Sequence, residues 1–150
     1  MAGSLRGNVV HMATWAQVGS AVRALPETEE VSPRKWAVKG KVIAWERPLR
    51  RGDLEALGAS APKGDILGVW VPDLDVKDAL VSGKPRIYFT TPHFNGYAAV
   101  LVRLAAIGVV ELRELLTNAW MHRAPARTKK AWLEAQPKKR SGSGTARRAR

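Results

Sequence analysis

The sequence predicts an α+β domain of two layers, with a mainly antiparallel sheet of about five strands and helices packed on one face. Three observations carry this. Helical stripes alternate with short β-type runs along the chain. Two of the connections between those runs read as hairpins, which favours antiparallel pairing. The chain has 150 residues and 45% hydrophobic content, enough for one self-sufficient core.

The elements follow in order. Thr14-Trp15-Ala16-Gln17 is a capping box, with a hydroxyl at the N-cap and Gln three residues on. Trp15, Val18, Val22 and Leu25 then mark one face of a helix that Pro26 ends. Glu27 to Glu30 reads as an acidic turn. Trp36–Val38 and Val42–Trp45 are short strands around Lys39-Gly40-Lys41, where Gly40 supplies the unusual φ of a tight turn. Arg50 to Gly58 reads as a short helix with Leu54 and Leu57 facing in.

A third strand runs from Ile66 to Val71 and stops at Pro72. Asp73 or Asp75 caps the next helix, whose apolar positions are Leu74, Val76, Leu80 and Val81. Ile87–Thr90 is a fourth strand and Tyr97–Leu104 a fifth. The loop between them, Thr91 to Gly96, carries an Asn-Gly turn signal. Val109 to Met121 shows the strongest helical stripe: Val109, Leu112, Leu115, Leu116 and Ala119, with Trp120 at its edge. Thr128 to Glu134 is a last short helix carrying Trp132.

Charge is unevenly spread. The formal net charge is +12, and residues 127–150 alone hold nine Lys or Arg against Glu134. The expected organisation is an irregular extension over 1–11, a domain over 12–135, and a disordered basic tail over 136–150. The tail lacks apolar periodicity and cannot offset its ordering entropy by burial. It suits electrostatic contact with phosphates or simple solvation.

Several chemistries are excluded or unsupported. Cysteine is absent, which removes disulfides, thiolate metal sites and Cys nucleophiles. No phosphate-binding glycine motif and no nucleophile elbow is present. The histidines, His11, His93 and His122, have no ligand spacing, so no metal and no cofactor is expected. No apolar stretch reaches the roughly 20 residues of a membrane span, and the expected location is the cytoplasm.

Two constellations remain as candidate sites. Lys39 and Lys41 at the first hairpin, with Arg47, Arg50 and Arg51 following, could set charge on phosphates, joined by Lys138, Lys139 and Arg140 of the tail. The bland alternative is a solvated hairpin with its tryptophans in the core. Period two puts Lys41, Ile43, Trp45 and Arg47 on one face, and neither face is cleanly apolar. The second constellation is the loop bearing Thr91, His93 and Asn95, a possible ligand loop whose bland alternative is a turn ordered by its own histidine.

Longer strings carry a family resemblance. Ala24-Leu25-Pro26-Glu27-Thr28-Glu29-Glu30, Ala44-Trp45-Glu46-Arg47-Pro48-Leu49, Phe89-Thr90-Thr91-Pro92-His93-Phe94-Asn95-Gly96-Tyr97 and Ala119-Trp120 resemble the MmcQ/YjbR-like family, in its actinobacterial-type branch. The resemblance runs from about Thr14 to Glu134. It implies a fold grouped with type III secretion chaperones and a non-enzymatic, DNA-binding role without cofactor. The Lys/Arg tail lies beyond it. A protein-interaction module, or a small-ligand binder using the His93 loop, are the rival readings. Nothing in the sequence fixes an oligomeric state.

Overall fold

A computed structural model describes residues 12–137. The chain enters beside Ile107, whose carbonyl accepts from the Ala13 amide at 3.0 Å. Helix α1 (Trp15–Arg23) begins at the capping box: the Gln17 amide donates to Thr14 Oγ1 at 3.3 Å, and Thr14 N donates back to Gln17 Oε1 at 3.0 Å. Val18 and Val22 are its fully buried contacts.

Strands β1 (Thr28–Ser32), β2 (Lys35–Val38) and β3 (Lys41–Glu46) follow as a meander. Between β2 and β3, Lys39 and Gly40 form a two-residue turn with φ of +48° and +84°. Next come α2 (Arg51–Leu57), β4 (Ile66–Trp70), α3 (Leu74–Gly83), β5 (Tyr88–Phe89), β6 (Ala99–Arg103), α4 (Val109–Arg123) and α5 (Ala126–Ala135). The sheet order is β1-β2-β3-β4-β6-β5, and every neighbouring pair is antiparallel. The α+β class read from the sequence is therefore the observed one.

The sheet has six strands, not five. The extra one is β1, where Glu27 to Glu30 reads as a turn in the sequence. Its side chains are exposed apart from the half-buried Thr28, so it has no apolar alternation to reveal it. It is held by backbone pairing to β2 and by Thr28, whose hydroxyl donates to Val22 O at 2.9 Å.

Two inward assignments also change. Leu54 is 47% exposed, and Asp53 is the buried position of α2. Leu74 is 45% exposed, and Lys77 is the buried residue of α3. In both helices a charged group satisfied by specific partners takes the place that hydropathy assigns to leucine.

The two sheet faces differ. Val38, Leu67, Val69, Val100 and Val102 join one large core with α1, α4 and the half-buried Val76, Leu80 and Val81 of α3. On the reverse, Ile66, Phe89, Phe94, Ala99 and Leu101 form a smaller cluster with Trp45, Trp70, Leu49 and Leu57. Short α2 and the turn at Pro92–Phe94 close this second face, so the long helices alone occupy a single side.

The bulge in β3 explains why the strand's faces cannot be read from period two. Trp36 pairs with Ala44 but Ala37 pairs with Val42, leaving Ile43 as an extra residue. Ile43 and Ala44 both enter the large core, and Trp45 turns to the reverse face.

Candidate functional site

The hairpin places its charges close to neutrality. Lys39 Nζ lies 3.2 Å from Glu27, and Arg34 Nη1 lies 3.2 Å from Glu46. Across residues 27–46 four bases, Arg34, Lys35, Lys39 and Lys41, face four glutamates, Glu27, Glu29, Glu30 and Glu46. The pairing of β1 with β2 brings Glu27 beside Lys39, and that of β2 with β3 brings Glu46 beside Arg34. Lys41 is exposed and holds no ion pair among the described residues.

Arg47 is placed differently from its neighbours. It is 4% exposed, with Nη2 3.0 Å from Asp53 Oδ2, Nη1 donating to the Pro48 carbonyl, and its guanidinium over the Phe94 ring at 5.2 Å. A guanidinium so enclosed is committed to the fold and does not reach a phosphate on the surface. Burial pushes the Asp53 carboxyl upward, but the Arg50 amide, donating at 2.8 Å, and the Arg47 charge outweigh it and hold it below its ordinary value. Arg50 and Arg51 are exposed.

The loop from Thr91 to Gly96 is fixed from beneath. Lys77 Nζ donates to the carbonyls of Phe94 at 2.7 Å and Tyr97 at 2.8 Å. Burial lowers the Lys77 pKa. Thr91 is buried, whereas His93 and Asn95 are exposed. His93 sets its ring edge-on to Phe94, centroids 4.8 Å apart. Gly96 takes φ +84°, as the Asn-Gly signal requires. Arg47, Arg50 and His93, from segments more than 40 residues apart, line one cleft of about 300 Å³ with Asp53. Thr91 and Asn95 are outside that lining.

The C-terminal helix is the basic element whose placement the sequence does not give. Trp132 packs edge-on to Trp120, centroids 5.1 Å apart, and Thr128 is buried, so α5 is docked to the domain. Trp120 is itself fully buried and donates from Nε1 to Pro26 O at 2.9 Å. Arg127 and Lys130 are exposed on α5, and Lys129 is half-buried. Lys138, Lys139 and Arg140 lie outside the described residues, as does the extension over 1–11. Among the described residues no group of three or more His, Asp or Glu is placed to hold a metal ion. None of their helices is long and apolar enough to cross a membrane.

The model of the YjbR family matches residues 23–122, about two thirds of the chain. The chain belongs to the YjbR family. Its YjbR relatives include an uncharacterized protein of Mycobacterium tuberculosis, Rv2570, and one of Mycobacterium bovis, Mb2600. Each is 54% identical over 125 residues, covering 81% of this chain and 97% of the relative. The crystal structure of the Deinococcus radiodurans protein DR2400, with a DUF419 domain, superposes with a TM-score of 0.56 at 17% identity. That match covers 83% of this chain and 91% of the other, and it shows the shared fold. The α5 charges and the residues beyond them lie past the stretch matched by the YjbR model.

Proposed function

We propose that this YjbR protein binds nucleic acid, duplex DNA first, through a C-terminal arm made of α5 and the basic run that follows it. The observation that carries this reading is the docking of α5 by Trp132 against Trp120. It ties the start of a strongly basic segment to the folded domain. Residues 126–150 hold nine Lys or Arg and one acid, whereas the hairpin's bases are matched by glutamates. Lys41, Arg50 and Arg51 are exposed and add secondary phosphate contacts; Arg47 does not. Such contacts are electrostatic, so affinity falls with salt by about 0.9 log unit per log unit of salt for each phosphate neutralised. The role is one of binding, with no reaction assigned.

Fluorescence anisotropy of labelled duplex DNA across salt tests it. The full chain is compared with a truncation ending at Gln136 and with Arg127→Ala/Lys130→Ala. Expected is a steep salt slope in the full chain that flattens in the truncation and shallows by about one to two in the double variant. Equal affinity and slope in the full chain, the truncation and the double variant would overturn the arm and return attention to Lys41, Arg50 and Arg51. No binding by the full chain at low salt would overturn the reading altogether.

A further inference from the structure

A further groove lies on the helix-bearing side of the sheet. α3 and α4 leave between them a groove of about 540 Å³, within the range of small-molecule sites. Val71, Val76, Leu80 and Leu115 give it apolar walls. Its lining on α4 runs from Glu111 to His122, about 16 Å at 1.5 Å per residue.

The polar groups are concentrated. Glu111 is anchored by two donors: Tyr88 OH at 2.6 Å to Oε2 and Lys84 Nζ at 3.1 Å to Oε1. Lys84 is thereby paired, and Glu114, exposed one turn further along α4, holds no ion pair among the described residues. Both carboxylates face Tyr88: burial first, then the Glu111 hydrogen bond and the charges of Glu111 and Glu114, push its hydroxyl well above its ordinary pKa. The groove thus presents excess negative charge inside a chain of net charge +12. That contrast selects against anions and for a cation with an apolar body.

We infer that the groove between α3 and α4 is a binding site for a small amphipathic cation, its apolar body against Val76, Leu80 and Leu115 and its primary ammonium at Glu114 and Glu111. This site is independent of the C-terminal arm. Glu114 supplies the free charge, and Glu111, fixed by Tyr88 and Lys84, supplies an oriented acceptor at the same end. Asn118 is an exposed residue of the groove's lining, where a bulkier side chain would narrow it.

The test uses the full chain and two probes that share a ring system, tryptamine and indole-3-propionate, followed by calorimetry and by backbone amide NMR shifts. Expected is saturable tryptamine binding with shifts on α3 and α4, and binding of indole-3-propionate weaker by about tenfold or more. Glu114→Gln should weaken tryptamine about tenfold, as loss of a charge-assisted contact does. Asn118→Trp should block it by narrowing the groove. Both positions are exposed, so the fold tolerates them. Absence of saturable tryptamine binding would overturn the site. So would equal binding of the two probes, or tryptamine binding unchanged in Asn118→Trp with the same spectral fold.

Discussion

The two faces of the sheet are held by different physics. The helix-bearing face is a large apolar core, aliphatic on the sheet and bordered by aromatic rings: Leu67, Val69, Val100 and Val102 are fully buried with Leu112, Leu116 and Trp120. The reverse face is aromatic and charged. Trp45, Trp70 and Phe94 cluster there with ring separations of 6.0 and 6.2 Å, beside the buried Arg47–Asp53 pair and the carbonyls clamped by Lys77. Apolar burial is non-directional and insensitive to pH. Buried charges are directional, and each depends on its partner. The first face therefore supplies most of the stability, and the second fixes how the loops beside α2 are arranged.

The sharpest way to break this contrast is Arg47→Ala. It leaves Asp53 buried without its cation and should cost about 3–5 kcal/mol, read by denaturant unfolding. Replacing both partners, Arg47→Met with Asp53→Leu, should restore much of that loss, whereas no second change on the aliphatic face should rescue Leu116→Ala. Equal losses in the single and double variants would show that the pair is not the unit of stability.

A smaller effect is expected at Gly68. It faces Trp45 across β3 and β4, and a Cβ there would sit 2.7 Å from the indole. Gly68→Ala should cost about 1–3 kcal/mol by overpacking. In a Trp45→Leu background the same change should cost clearly less. Additive costs would mean that the indole does not lie over the glycine.

The smallest effect is the pH response. The Asp53 pKa is depressed in the fold, so its contribution is complete above the ordinary value near 3.8 and is lost as pH falls through the depressed one. Lys77 is lowered from 10.5, so stability rises as pH climbs through its folded pKa toward that value. Unfolding free energies across pH should show both limbs. Asp53→Asn should flatten the acid limb and Lys77→Met the alkaline one. Limbs of unchanged slope in both variants would assign the titration to other groups.

Much of the fold was legible because its signals are local. The Thr14 capping box, the Lys39-Gly40 turn, the stops at Pro26 and Pro72, and the Leu112–Ala119 stripe each lie within a few residues. β1 was not legible, since a strand exposed along its length has no periodicity. The role of Arg47 was hidden for another reason. Its charge suggests solvent, and only the return of α2 brings Asp53 against it. The hairpin's neutrality needs strand pairing to be seen, because Glu27 and Lys39 are twelve residues apart. The α3–α4 groove is invisible in sequence, its walls coming from strands and helices that meet only in the fold. Trp132 sits on the last helix in the sequence, but its contact with Trp120 is seen only in the fold, and that docking is what gives the basic arm a fixed origin.

The edge strand β1 also bears on how the molecule behaves in a crowd. A free strand edge is a template for pairing with another chain, and proteins blunt such edges with charge, proline and brevity. Here β1 carries Glu29 and Glu30, both exposed, and runs into Pro33, so a second copy would meet like charge at the middle of the strand. At the opposite margin β5 is two residues long, too short to seed a ladder. Among the described residues the two margins of the sheet are thus blunted by different means, β1 by charge and a following proline and β5 by brevity.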